Sequence, residues 1–156
     1  MTVQTTTHLN FTGQAREALE FYGSVFGGQV VVVTYGDAGM PADLPDAGRV
    51  LFGQVVTSTG FGIMAYDVPG APASDGLAGV AGSTRRQEFR TLTDRPFFVS
   101  VRGETVDEVG ALWERLAVGA EVLDAYGPSP WAPAAGMLTD RFGVTWILDV
   151  AAPYAG

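Results

Sequence analysis

The sequence predicts an α+β fold made of two copies of one βαβββ module (strand, helix and three strands) that form an open barrel-like cleft. An approximate internal repeat is the first indication, with strands at 8–11 and 29–35 around one helix and at 97–102 and 120–125 around another. Both halves also close with a glycine-containing hairpin. Each module has a helix for only one sheet face, so the second copy is expected to close the other face.

The residues of the first module predict its helix and strands in order. Its helix has apolar residues at helical spacing and stops at two glycines, Gly27 and Gly28. The β-branched run that follows, at 29–34, predicts a strand buried on both faces. Residues 36–48 are rich in Pro, Asp and Gly and indicate a loop. The last two strands are expected at 49–57 and 61–67, joined by a hairpin turn.

The second module follows a segment rich in Pro, Gly and Ala, about 69–82, which is interpreted as a linker. Its helix is expected at 105–118, with Thr105 as N-cap and Glu108 at the reciprocal position of a capping box. A proline-rich stretch with Trp131 is expected to wrap the mouth of the cleft. The 156 residues are therefore predicted to form a single domain of two modules, about 1–68 and 94–152.

Composition excludes several classes of protein. A hydrophobic share of 47% with 17% charged residues argues against disorder, and no apolar run is long enough to span a membrane. The net charge of −8 disfavours nucleic acid as a partner. The absence of cysteine removes disulfides and thiolate chemistry. A cytoplasmic protein is expected, because the first residues lack the pattern of a secretory signal.

Strand alternation selects polar residues for the cleft. His8 and Asn10 lie on the face opposite Leu9 and Phe11, so they point into the cleft if the apolar pair packs on the helix. Together with Gln54, Asn10 could orient a carbonyl or amide group of a ligand. The alternative is that both amides hydrogen-bond to the backbone or bridge water. His8 is the only histidine and has two readings: a general base or ligand donor, or a hydrogen-bonded strand residue without chemistry.

Aromatic residues indicate the kind of ligand. Several fall on strands or on the loop at the cleft mouth, where they would favour a planar or apolar small molecule: Phe52, Tyr66, Phe98, Trp131 and Trp146. Core positions are an equal alternative for Phe98 and Trp146. The Asp140-Arg141 turn is expected to fix its hairpin by side-chain to backbone hydrogen bonds.

Two sequence blocks resemble a known family. The strings HLNFTGQAREALEFYGSVFGG, from residue 8, and AGMLTDRFGVTWILDV, from residue 135, are similar to the opening and closing blocks of the PhnB-like branch of the glyoxalase/bleomycin-resistance/dioxygenase group, the vicinal oxygen chelate superfamily. The resemblance implies two βαβββ modules around an open cavity, the glyoxalase/bleomycin resistance fold, commonly in a homodimer.

The resemblance also implies where metal ligands would lie in metal-dependent members. The corresponding positions here are Thr6, His8, Phe52, Gln54, Met64 to Tyr66, Phe97, Val99, Val101 and Ile147. Of these only His8 and Gln54 carry suitable donors, with Asp37 and Asp67 able to contribute after loop movement. A divalent metal prefers three or more protein ligands, so no metal and no cofactor is expected. The alternative is a metal site completed by ligands from the two chains of a dimer.

Two functions remain open at this point. One is a metal-free binding protein that holds an aromatic or apolar small molecule in the cleft through His8, Asn10, Phe52, Gln54, Tyr66 and Trp131. The other is an enzyme, with His8 as the catalytic base of an isomerase or lyase, or a metal-dependent dioxygenase-type member. No nucleophile elbow accompanies the single histidine, which disfavours a serine triad. A homodimer is expected, because open sheets leave strand edges to be covered.

Overall fold

The computed structural model describes residues 3–153 and divides the chain into two compact units, one ending at Ser74 and one beginning at Asp75. The first unit contains β1 Thr7–Phe11, α1 Ala15–Phe26, β2 Gln29–Thr34, β3 Val50–Val56 and β4 Gly62–Asp67. Its four strands form one sheet in the order β1-β4-β3-β2. β1 runs parallel to β4 and the other pairs are antiparallel.

The second unit begins with a short 3₁₀ helix and a small hairpin before the module repeats. Its elements are the 3₁₀ helix Gly76–Val80, β5 Thr84–Gln87, β6 Arg90–Thr93, β7 Val99–Gly103, α2 Val106–Leu116, β8 Glu121–Gly127, β9 Ala135–Thr139 and β10 Thr145–Val150. The large sheet has the order β7-β10-β9-β8, which is the topology of the first unit. The α+β class and the repeated βαβββ module are therefore confirmed.

Two hydrogen bonds fix the first part of the segment interpreted as a linker. The N–H of Gly70 donates to Asp46 Oδ2 at 2.7 Å, and the N–H of Ser74 donates to the carbonyl of Thr12 at 3.1 Å. Further along, the 3₁₀ helix occupies Gly76–Val80, which the composition did not predict. Proline and glycine indicated a break in regular structure, but not the hydrogen bonds that fix its path. Within residues 3–153, no helix has the length and apolar character needed to cross a membrane.

α1 ends before Gly27 and α2 begins after Thr105, as the sequence indicated. Gly27 closes α1 in the left-handed region at φ 76°, and its N–H donates to the carbonyl of Gly23 at 2.9 Å. Glycine has no Cβ to clash in this conformation. Thr105 caps α2, because its Oγ1 accepts from the N–H of Glu108 at 3.2 Å. Each helix packs an apolar face on its own sheet.

The prediction that β2 is buried on both faces is wrong. β2 is an edge strand of its sheet and pairs only with β3. Its side chains are exposed or half-buried, and Gln29 and Val31 are open to solvent. The run of valines reflects the preference of β-branched residues for extended backbone, which an edge strand satisfies as well as a central one.

A single carboxylate organises the first unit. Asp67, at the end of β4, is buried, and its Oδ1 accepts from the N–H groups of Gly13 at 2.7 Å and Ala15 at 3.0 Å. Its Oδ2 accepts from the N–H of Val50 at 2.9 Å. These donors belong to the loop after β1, the first residue of α1 and the first residue of β3. One side chain at the end of β4 therefore fixes both the junction of β1 with α1 and the start of β3.

A second carboxylate, that of Asp140, accepts backbone hydrogen bonds in the hairpin between β9 and β10. Asp140 Oδ1 accepts from the N–H groups of Phe142 at 2.9 Å and Val144 at 3.0 Å, which confirms the predicted turn-fixing role. Its Oδ2 accepts from Trp146 Nε1 at 2.8 Å. Trp146 is fully buried on the α2 side of the sheet, so of its two readings the core position is correct.

We expect Asp67→Ala to lower the free energy of unfolding by about 3 kcal/mol, because a buried N–H that loses its acceptor costs about 1–3 kcal/mol. Urea unfolding followed by circular dichroism measures the change. Asp75→Ala, which removes an exposed carboxylate and the same charge, is the matched control and should stay within about 0.5 kcal/mol of the parent protein. A loss in Asp67→Ala no larger than in the control would contradict the organising role of Asp67.

Candidate functional site

The sheet of the first unit has one face packed on α1 and one face, here called the open face, that α1 does not cover. Strand register assigns the side chains to the two faces, because paired residues on neighbouring strands point the same way. His8 and Gln54 both pair with Met64, and Asn10 pairs with Tyr66. Along β4 the alternate residues Ile63, Ala65 and Asp67 are buried toward the helix. The open face therefore carries His8, Asn10, Phe52, Gln54, Met64 and Tyr66.

His8 on the open face contacts two neighbouring side chains. Nδ1 of His8 lies 3.2 Å from Oδ1 of Asn10, within hydrogen-bond distance. The imidazole also meets the ring of Tyr66 edge to face, with ring centroids 5.3 Å apart. If Nδ1 donates to Asn10, the other ring nitrogen, Nε2, is left as an acceptor. The arrangement therefore orients the ring of the one histidine and offers a second polar atom to a ligand.

An amide and apolar side chains continue the open face toward β2. Gln54 is half-buried between Met64 on β4 and Val31 on β2. Phe52 is 38% exposed and pairs with Val33 at the next position. An exposed ring and a thioether beside an amide group form a surface that can stack on a planar molecule and direct one of its polar groups.

In the second unit, an ion pair lies on the sheet face opposite Trp146. Arg102 Nε and Nη2 donate to Oδ1 and Oδ2 of Asp149 at 2.9 and 2.8 Å. This two-point hydrogen bond, followed by the charge of the carboxylate, raises the pKa of Arg102 above its usual value. The pair was not predicted, although alternation along β7 and β10 places Arg102 and Asp149 opposite each other on one face. Trp131 is 61% exposed in the loop between β8 and β9, and Phe98 is half-buried before β7.

The side chains that could bind a metal are dispersed in the described part of the chain. Within residues 3–153, no three His, Cys, Asp or Glu side chains come together in a group that could hold an ion. Asp67, one of the two proposed reserve ligands, points to the helix side and is engaged by three N–H groups. Movement of this carboxylate would remove its hydrogen bonds with the N–H groups of Gly13, Ala15 and Val50. The expectation that it could join His8 by loop movement is therefore incompatible with its structural role.

The other reserve ligand, Asp37, is engaged in a local turn. Its Oδ2 accepts from the N–H of Thr34 at 2.8 Å, and its own N–H donates to Oγ1 of Thr34 at 3.0 Å. The backbone hydrogen bond holds the pKa of Asp37 below its usual value. In the second unit, the positions that correspond to ligands are Phe97, Val99, Val101 and Ile147, and none has a donor atom.

Fold and sequence together define the family. The chain has a duplicated βαβββ module. The family model described as the Glyoxalase/Bleomycin resistance protein/Dioxygenase superfamily matches residues 6–148. The chain belongs to this superfamily. No protein among those with curated functions matches it.

Several solved structures have a similar fold. A Pseudomonas aeruginosa protein, PA1353, is 29% identical, with a TM-score of 0.73 over 96% of this chain and 98% of that one. A Bacillus cereus PhnB protein, described as a putative 3-demethylubiquinone-9 3-methyltransferase, is 24% identical, with a TM-score of 0.67 over 96% and 100%. A glyoxylase/bleomycin resistance protein/dioxygenase domain from Frankia is 15% identical, with a TM-score of 0.61 over 97% and 93%. The latter two likenesses support the fold alone.

We expect Phe52→Ala to change the free energy of unfolding by less than about 1 kcal/mol, because the ring lies on the open face. Ile63→Ala, on the helix face of the neighbouring strand, should cost about 2–5 kcal/mol because it leaves a cavity in the core. Chemical denaturation of both variants tests the assignment of faces. A large loss in Phe52→Ala would show that the ring is part of the core.

Proposed function

We propose that this protein binds a small aromatic or apolar molecule on the open face of its first unit, without a metal. The observation that carries the proposal is the combination of an exposed aromatic ring, an amide and an oriented imidazole on one sheet face. Phe52 supplies a stacking surface, and Gln54 and His8 supply directional polar atoms. Ligand sites of this kind are mostly apolar and contain a few placed polar groups.

The chemistry of the face favours binding over turnover. A general base acts on a proton within hydrogen-bond reach, and its partner orients it for that transfer. Here the orienting group of His8 is a neutral amide, Asn10, and its neighbouring ring is Tyr66. Within the described residues, no carboxylate forms a hydrogen bond or an ion pair with the imidazole. A polar contact to a bound molecule is the role that these neighbours support.

The alternative function is an enzyme in which His8 acts as the base of an isomerase or lyase. It is favoured by one observation, the defined orientation of the imidazole. The two functions predict different effects of His8→Gln on ligand affinity and on turnover. A binding protein retains much of its affinity, because glutamine keeps a donor and an acceptor. An enzyme loses turnover while binding is retained, since glutamine cannot transfer the proton.

We expect the purified protein to contain less than about 0.1 equivalent of zinc, iron, nickel or manganese per chain, because His8 and Gln54 alone make a poor metal site. Inductively coupled plasma mass spectrometry after extensive dialysis measures the content. The control is the His8→Ala variant prepared in parallel, which should have the same trace level. About one metal ion per chain in the parent protein, lost in His8→Ala, would overturn the metal-free part of the proposal.

We expect the dye 1-anilinonaphthalene-8-sulfonate to bind the protein, and Phe52→Ala to weaken that binding by about 1–3 kcal/mol because a stacked ring is lost. Fluorescence titration gives the dissociation constant, and competition with a panel of small aromatic compounds ranks ligands. Phe97→Ala removes an exposed phenylalanine from the second unit and is the matched control, with no change expected. Equal weakening in both variants would show that the dye does not report on the open face.

A further inference from the structure

The hairpin formed by β5 and β6, here called the arginine hairpin, has no counterpart in the first unit. It lies between the 3₁₀ helix and β7, before the repeated module begins. The segment 84–95 holds four of the nine arginines of the chain, at positions 85, 86, 90 and 95, against two carboxylates. The rest of the chain has five arginines and fifteen carboxylates. The hairpin is therefore a basic projection on a strongly acidic protein.

The two faces of the arginine hairpin are unequal. One face is anchored: Thr84 and Thr93 share a hydrogen bond of 2.9 Å, and Arg86 donates to Thr91 Oγ1 at 2.8 Å and lies 3.5 Å from Asp124 of β8. The alternate residues of the hairpin point away from these anchors. Arg85 and Arg90 are exposed there, and neither forms an ion pair within residues 3–153.

The turn of the hairpin exposes an aromatic ring. Phe89 is 80% exposed. The residue before it, Glu88, has φ 56° and is the one described non-glycine residue with a positive φ. Glu88 and Phe89 form the two-residue turn between β5 and β6, and such a turn requires a positive φ at its first residue. A large apolar side chain flanked by unpaired cations is a typical centre for a protein interface.

A complementary surface is present on the same unit, at the beginning of α2. Glu104, Asp107 and Glu108, here called the acidic corner, are all exposed, and Val106 between them is 44% exposed. Within residues 3–153, no ion pair links the acidic corner to the arginine hairpin. One surface offers cations around an apolar ring, and the other offers carboxylates around an apolar side chain.

We propose that the arginine hairpin docks on the acidic corner of a second copy of this chain. Arg85 and Arg90 pair with the carboxylates, and Phe89 packs against Val106. In a two-fold dimer the same contact forms twice, so both hairpins and both corners are used. The contact depends on opposite charges near the surface, so association weakens as salt rises. This proposal is independent of the ligand that the open face binds.

Sedimentation velocity tests the association. We expect a dimer at about 0.05 M salt and at least about tenfold weaker association at about 1 M salt, where the screening length falls to about 3 Å. Arg85→Glu/Arg90→Glu and Phe89→Ser should each weaken the dimer at least about tenfold. Arg16→Glu, which reverses an exposed charge in the first unit, is the control and should leave the dimer unchanged. A monomer at both salt concentrations would overturn the proposal.

A charge-exchange pair makes the test specific. Arg85→Glu/Arg90→Glu should not self-associate, and neither should Asp107→Arg/Glu108→Arg, because each sets like charges against each other. Mixed one to one, the two variants are complementary at both contacts and should form a heterodimer. Melting temperatures of both variants close to that of the parent protein show that they are folded. A dimer that survives the hairpin substitutions, or a mixture that stays monomeric, would contradict the pairing.

Discussion

The acceptance of three backbone N–H groups by Asp67 is the constraint on which the first unit depends. A helix needs partners for its first N–H groups, and a sheet needs its strands held in one register. The carboxylate at the end of β4 supplies both, because its donors include the first residues of α1 and of β3. The register that it secures is the register that places His8 and Gln54 on the open face. A buried group on the opposite side of the sheet therefore helps to set which side chains the open face carries.

Period-two alternation was sufficient to predict the open face. Alternation along β1 separates His8 and Asn10 from the apolar pair between and after them, and the observed register agrees. The role of Asp67 could not be predicted in the same way. Its donors lie 17 to 54 positions away in sequence, and a local pattern contains no information on such distant partners. From the sequence alone, a carboxylate at a strand end is therefore equally compatible with a metal ligand.

The arginine hairpin and the edge strand β2 show two other limits of local patterns. The hairpin has no apolar alternation, and its anchoring contacts, such as that between Arg86 and Asp124, join segments far apart in sequence. The valine run of β2 predicted a strand correctly but not its burial. Strand preference is a property of the residue, whereas burial depends on how many neighbouring strands the sheet supplies.

The exposed position of β2 has a consequence for the unfolded chain. The strand has the sequence QVVVVT, in which five of six residues have high strand preference and none is charged or proline. Such a hexapeptide can stack on identical copies to form the dry, interdigitated sheets of amyloid fibrils. In the native protein one edge of the strand is occupied by β3, and the unit's remaining structure restrains it. Once β3 separates, the segment is released without a gatekeeper residue inside it. We therefore expect heating at high protein concentration to favour irreversible aggregation over a reversible unfolding equilibrium.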